Sequence, residues 1–295
     1  MLFRLENVSH RYSDGTLALN DVSLSFDKGE RIALLGTNGS GKTTLLYHLN
    51  GILKPTSGKI YYEDKPLQYD SKSLLELRKR VGFVFQDPND QLFAPTVKQD
   101  VAFGPLNLGQ PPDQVKKIVD EALRTVGMAE FAEKPPHFLS LGQKKRVALA
   151  GVLAMQPEVI IMDEPTSNLD PRATSEILHL LLQLNKEAGI TLLLATHDVD
   201  MVPLFANKLY ILSKEGKLVS NGSPKELFSD TEMIRNVNLR SPRITHLFEV
   251  LKKENNLPID SKLPLTISEA RKEILKLLDM ANCAEDKKAA THERS

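Results

Sequence analysis

One nine-residue stretch constrains this chain more than any other. "GTNGSGKTT", residues 36–44, follows the apolar run "RIALL" and precedes "LLYHL". Strand, glycine-rich loop and helix in that order are the context in which a phosphate-binding loop works. Glycines let the backbone curl around an anion, so that its N–H groups and the start of the following helix face the phosphates. The loop residues are Gly36, Thr37, Asn38, Gly39, Ser40, Gly41, Lys42, Thr43 and Thr44. Lys42 is expected to reach the β- and γ-phosphates, and the Thr43 hydroxyl to ligate Mg²⁺. A chance turn of glycine and serine would not carry the full spacing together with both flanking elements.

The rest of the chain supplies the sheet such a loop requires. "VGFVFQ" (81–86), "VIIMDE" (159–164) and "TLLLATH" (191–197) are continuously apolar, as strands buried on both faces of a parallel sheet are. Between them, "PDQVKKIVDEALRTVG" and "SEILHLLLQLNKEAG" have helical periodicity and end near a glycine. Strands alternating with helices predict an α/β fold. Residues 2–35 differ, alternating apolar and polar in short runs broken by "SDGT" and "DKGE", which predicts an antiparallel β region ahead of the core.

After about residue 222 the texture changes again. "SPKELF" reads as a short capped helix, and "RITHLFEVLKKENN" and "TISEARKEILKLLDM" as amphipathic helices separated by "LPIDSKLPL". The expected organisation is a nucleotide-binding domain over 1–225, a small helical extension over 226–282 and a loose tail over 283–295, where "AEDKKAATHERS" offers little to bury.

Two carboxylates complete the phosphate site. Asp163 ends the run "VIIMD", and a carboxylate at the end of a strand beside the phosphate strand can hold Mg²⁺ through water. Glu164 follows at once and, because strand side chains alternate, should point elsewhere, as the base that polarises an attacking water. An isolated Asp-Glu pair is more often a solvated strand end; the independent phosphate loop argues for the catalytic reading. His197 and Gln86 also end buried strands, where ligands of open α/β sheets collect. His197 is expected to hydrogen-bond the γ-phosphate. Gln86 by itself would be an ordinary loop amide.

Composition narrows the setting. Lysine plus arginine equal aspartate plus glutamate at 38 each in 295 residues, so no overall basic field argues for nucleic acid. The lone cysteine, Cys283, cannot pair within the chain, which suits a reducing cytosolic compartment. The opening "MLFRLENVSH" lacks a signal-peptide core, and runs such as "VALAGVLAM" are shorter than the ~20 residues that span a bilayer, so any membrane role is expected to be peripheral.

Taken in order, these motifs make residues 1–225 similar to the ATP-binding cassette family. Residues 36–43 resemble its Walker A motif, Gln86 its Q-loop, "LSLGQ" (139–143) its signature, "VIIMDE" its Walker B, "SNLD" (167–170) its D-loop and His197 its switch histidine. The resemblance implies a phosphate-loop NTPase of cassette type, with an N-terminal antiparallel β region and a helical signature subdomain. It further implies that Tyr12 stacks on adenine, that Gln86 joins Thr43 and Asp163 at the metal, and that Asp170 contributes to the nucleotide site. Ser140, Gly142 and Gln143 would face ATP bound by a partner cassette, closing two subunits head to tail. Leu141 departs from the glycine most common there, which matters only if that position needs a positive φ.

The segments "YSDGTLAL", "FQDPNDQLFAPTVKQDVAFGPLNLG" and "KKRVALAGVLAMQPEVIIMDEPTSNLDP", with the helical extension, resemble ATPases of energy-coupling-factor and cobalt/nickel importers. The resemblance implies an ATP- and Mg²⁺-dependent ATPase at the cytoplasmic face of the cell membrane. Its partners would be a second ATPase subunit and an integral membrane subunit, and its cargo a small nutrient such as cobalt, nickel or a vitamin. The loop "DPNDQ" would lie where such ATPases meet their membrane subunit. The rival reading is a soluble cassette ATPase acting on nucleic acid or ribosomes, which usually has two cassettes or a coiled-coil insertion. A phosphate-loop kinase would lack "LSLGQ" and His197.

Overall fold

A computed structural model describes residues 1–255, 257–259 and 262–292, with side chains described to residue 279. Strands β1 (Phe3–Arg11) and β2 (Leu17–Phe26) precede β3 (Arg31–Leu35), the phosphate loop and α1 (Lys42–Leu49). Next come β4 (Ser57–Tyr62), β5 (Lys65–Pro66), α2 (Ser71–Arg80) and β6 (Val81–Val84). Three helices, α3 (Val97–Asn107), α4 (Pro112–Thr125) and α5 (Leu141–Leu153), lead to β7 (Val159–Asp163). Beyond it lie α6 (Pro171–Ala188), β8 (Thr191–Thr196), α7 (Val202–Phe205), β9 (Lys208–Leu212) and β10 (Leu218–Gly222). The described chain ends with α8 (Pro224–Ser229), α9 (Thr231–Asn236), α10 (Arg243–Lys253) and α11 (Ile267–His292).

The strands form two sheets. The N-terminal antiparallel sheet has the order β2-β1-β4-β5, and the core sheet the order β10-β9-β3-β8-β7-β6. The core is parallel except for β10, which pairs antiparallel with β9 at the edge. One expectation needs correction here: β7 does not lie beside the phosphate strand, because β8 is inserted between β3 and β7. The phosphate loop still reaches β7, since α1 leaves β3 and packs across both β7 and β8.

Period-two alternation assigns each strand residue to a layer. Ile160, Met162, Leu192 and Leu194 pack under the helical layer of α3 to α6. Their neighbours Val159, Ile161, Leu193 and Ala195 pack on the other face, with α1 and the antiparallel sheet, through Leu45, Leu46, Phe3 and Phe26. Because both faces are covered, β6, β7 and β8 are buried along their whole length. α6 stops at Gly189, whose φ of 66° supplies the left-handed cap that ends the helix.

Helices α8 and α9 are part of this core packing. Leu227, Phe228 and Ile234 share a buried cluster with Ala33 and Leu35 of the phosphate strand and Leu209 and Ile211 of β9. Farther along, α10 and α11 enclose a separate cluster of Phe248, Ile259, Leu263 and Ala270. The backbone of α11 is helical through residues 283–292, where low apolar content led us to expect a loose tail. Alanine, glutamate and lysine are strong helix formers, and helical hydrogen bonds are local, so a helix does not require apolar content to continue. Residues 293–295 of the expected tail lie outside the described residues.

Phe228→Ala should destabilise the chain by about 3–5 kcal/mol, as removal of a fully buried aromatic does. Chemical denaturation measures this, and a single transition should move as a whole because Phe228 packs on the phosphate strand's own cluster.

Candidate nucleotide site

The register of the core sheet assembles the site. Leu35 lies opposite Thr196, Asp163 opposite Ala195, and Met162 opposite Val84, so four strands end in step at one edge. The residues that follow those ends converge there. A cavity of about 500 Å³ is lined by Tyr12, Lys42, Thr43, Thr44, Gln86, Asp163, Glu164 and His197, with Asn38, Gly39 and Gly41 from the loop.

The loop is shaped by positions that exclude side chains. Gly41 has a φ of 88°, and a Cβ there would stand 2.3 Å from the Ala18 carbonyl oxygen of β2. Gly36 has no room either, since a Cβ would meet Ser40 Oγ at 2.4 Å and the Leu212 carbonyl oxygen at 2.9 Å. Thr37 Oγ1 and Ser40 Oγ are buried without a hydrogen-bond partner among the described residues, which fits a loop that expects oxygens from a ligand. Lys42 Nζ donates to the carbonyls of Gly36 (2.8 Å) and Thr37 (3.1 Å). Burial lowers its pKa, while Glu164 and Asp163 act in the opposite direction. Such a cation gains a partner when a phosphate enters.

At the start of α1, Thr43 Oγ1 donates to Asp163 Oδ2 at 2.6 Å. Burial raises the Asp163 pKa, and the Thr43 hydrogen bond opposes the rise. This hydroxyl and carboxylate, with the Gln86 amide on the same cavity wall, form an oxygen donor set that suits a hard cation such as Mg²⁺. Tyr12 is exposed, and its hydroxyl lies 3.0 Å from Thr44 Oγ1. Its ring stands edge-on to His10, with centroids 4.8 Å apart.

Glu164 lines the same cavity as Asp163 and its charge helps raise the Asp163 pKa, so strand alternation does not part the two as the sequence suggested. Glu164 lies just past the end of β7 with a φ of 47°, so a left-handed turn sets its direction. That conformation costs about 1–2 kcal/mol for a residue with a Cβ. Its carboxylate Oε1 accepts a hydrogen bond from His197 Nδ1 at 2.7 Å, so the imidazole expected at the γ-phosphate is turned onto Glu164 here.

Of the signature residues, Leu141 shares a neighbouring cavity with Thr43, Gln86 and Asp163, whereas Ser140, Gly142 and Gln143 do not line it. Ser140 is the N-cap of α5 and forms a capping box: Gln143 N–H donates to Ser140 Oγ (3.3 Å), and Ser140 N–H donates to Gln143 Oε1 (2.9 Å). Gly142 lies in the first turn, near Ala173 and Leu169. Leu141 is the first helical residue and is not among those with positive φ, so it loses nothing by not being glycine. Asp170 caps α6 by accepting from Ala173 N–H at 2.8 Å. Ser140, Gly142, Gln143 and Asp170 do not line the cavity that holds Lys42 and Glu164.

Sequence reasoning missed the residues that brace these loops. Lys145 is buried, and its Nζ donates to the carbonyls of Glu164 and Ser167, both at 3.0 Å, and to Ser167 Oγ at 3.1 Å. Burial pushes its pKa down to about 8. Helical spacing held the clue, since Lys145 shares a stripe with the buried Ala148, Leu149 and Val152. Gln91 props the Gln86 loop by accepting from Phe85 N–H (3.1 Å) and donating to the Ala148 carbonyl (2.9 Å). Lys144 donates to Asn89 Oδ1 at 2.9 Å.

Sheet order, phosphate loop and carboxylate geometry together define a phosphate-loop NTPase. The family model "ABC transporter" matches residues 19–167, and the chain belongs to that family, whose members bind ATP, and is one of its ATPases. It is 56% identical over 268 residues to the energy-coupling factor transporter ATP-binding protein EcfA of Methanocaldococcus jannaschii, covering 91% of this chain and 95% of that one. Among solved structures it is similar to cbiO1 from Clostridium perfringens, part of the ABC transporter complex cbiONQ. That match has a TM-score of 0.73 and 50% identity, and covers 84% of this chain and 98% of the other. It also resembles a dimeric ATP-binding cassette in a post-hydrolysis state bound to ADP and Pi, with a TM-score of 0.69 and 31% identity over 76% of this chain and 99% of that one.

Gly41→Ala should weaken ATP binding by about tenfold or more, because the loop must either strain or move away from Ala18. Titration calorimetry reads the affinity, with circular dichroism checking that the fold is kept.

Proposed function

We propose that this chain is the ATP-hydrolysing subunit of an energy-coupling-factor importer, working as one of two cassettes that close head to tail over ATP. The observation that carries the reading is the separation described above. One cavity gathers Tyr12, Lys42, Thr43, Gln86, Asp163, Glu164 and His197, whereas Ser140 and Gly142 are presented at the open start of α5. A helix N-terminus is an anion site, and a second chain's γ-phosphate is the ligand that suits it. The similar cassette that is dimeric and bound to ADP and Pi supports the pairing of two cassettes. The partner cassette is either an identical chain or a related one.

Within each site, Tyr12 stacks on the adenine, and the backbone of residues 36–41, Lys42, Thr43 and Thr44 surround the phosphates. Mg²⁺, when bound, would be held by Thr43, Gln86 and, through water, Asp163, and would spread the phosphate charge. Glu164 accepts a proton as water attacks the γ-phosphorus and ADP leaves. His197 holds the Glu164 carboxylate and lines the same cavity as Lys42.

The relatives' names and the exposed apolar surface support the wider assembly. Phe93 and Phe103, in edge-on contact with centroids 4.7 Å apart, and Leu106 lie exposed just beyond the Gln86 loop and suit an apolar segment of a membrane subunit. Ile267, Ile274, Leu275 and Leu278 are exposed on α11 and suit contact with a second cassette. The proposed attachment is peripheral, at the cytoplasmic face; no helix among the described residues is long and apolar enough to cross a membrane. The cargo is a small nutrient, a transition-metal ion such as cobalt or nickel, or a vitamin.

Glu164→Gln should leave ATP binding intact and lower turnover by about 10²- to 10⁴-fold, the usual contribution of a positioned base. Steady-state ATPase assays measure this, and unchanged turnover would remove Glu164 from the role. Affinity purification of the tagged chain from its native membranes should recover an integral membrane subunit. Recovery with ribosomes or nucleic acid instead would favour the soluble reading.

A further inference from the structure

Lys145 is a buried cation that the reaction above leaves without a task. Its three ammonium protons meet three acceptors, all in the segment that begins at the catalytic carboxylate: the Glu164 carbonyl, the Ser167 carbonyl and Ser167 Oγ. The Glu164 carbonyl also accepts from Ser167 Oγ at 2.9 Å and from Ser167 N–H at 3.1 Å, while Glu164 N–H donates to Ala195 of β8 at 3.0 Å. A left-handed turn at a residue with a Cβ persists only where its surroundings over-determine it. Here β8 holds the peptide before the Glu164 Cα, and Lys145 with Ser167 holds the peptide after it.

We propose that Lys145 is a positioning residue that fixes the Glu164 turn and ties it to the helix whose N-terminus carries Ser140 and Gly142. The proposal rests on Glu164 acting as the base. Its physical content is that Lys145 stands one turn beyond the signature residues on α5. A rigid helix moves as a unit, so displacement of its start by a partner's nucleotide is passed to the backbone of this chain's own Glu164. The brace needs a long, flexible cation. An apolar side chain of the same length would fill the space but leave two buried carbonyls with fewer donors.

The test measures kcat, KM, ATP affinity and melting temperature of the full chain for Lys145→Met, Glu164→Gln and the double variant. Lys145→Met should lower kcat by roughly 10- to 100-fold, the scale of a slightly misplaced catalytic group, with KM and ATP affinity within about twofold. Lys145→Arg should restore part of the loss. In the Glu164→Gln background, single-turnover rates should fall no further on adding Lys145→Met, because the two residues act through one group. Unchanged kcat in Lys145→Met overturns the proposal, as does an equal additional loss in the double variant or a loss of ATP affinity that tracks the melting temperature. If Lys145→Met does not fold, Ser167→Ala removes the hydroxyl shared by both ends of the brace and should lower kcat without changing affinity; unchanged kcat there also overturns it. Normal turnover of Glu164→Gln would instead mark failure of the underlying assignment.

Discussion

The register of the parallel sheet is the constraint on which the site depends. With Leu35 opposite Thr196 and Asp163 opposite Ala195, the ends of β3, β8 and β7 are level, and β6 joins them through Val84 and Met162. Side chains alternate along each strand, so a slip of one residue would exchange the two faces and move Ile160 and Met162 out of the helical layer. Burial on both faces makes such a slip costly. The same apolar packing that stabilises the core therefore fixes where the phosphate loop, Asp163, Glu164 and His197 meet.

Polar groups at that edge are held under strain or burial that the core makes tolerable. Lys42 and Asp163 are both buried, and burial disfavours the charged form of each. Glu164 occupies a left-handed turn, and Lys145 spends its ammonium on carbonyls rather than on a carboxylate. Bonds between different elements hold the site together: α1 meets β7 through Thr43, and α5 meets the turn after β7 through Lys145. A nucleotide entering this cavity finds the donors already ordered, which reduces the reorganisation needed for phosphoryl transfer.

Legibility in the sequence differed by the range of the interaction. Phosphate loop, parallel strands, antiparallel region and the helix stop at Gly189 could be read directly, because glycine spacing and hydrophobic periodicity act over a few residues. The neighbour of the phosphate strand was misread, since sheet order is set by crossovers that leave no local trace. The direction of Glu164 was attributed to strand alternation, whereas the strand ends one residue earlier and the turn takes over. The helix through 283–292 was missed because low apolar content argues against burial, not against a helix held by its own backbone bonds.

By itself the sequence determined the loop that receives phosphate, the carboxylates and histidine at strand ends, and the motif order that places the chain among ABC transporter ATPases. Those features depend on residue type and spacing along the chain. Only the tertiary structure decided that β8 separates the phosphate strand from β7, that Ser140 and Gly142 lie off the cavity, and that Lys145 grips the Glu164 turn. Those contacts join residues 19 or more positions apart through packing of α5 and the sheet, and no local pattern encodes which partner a buried lysine will find.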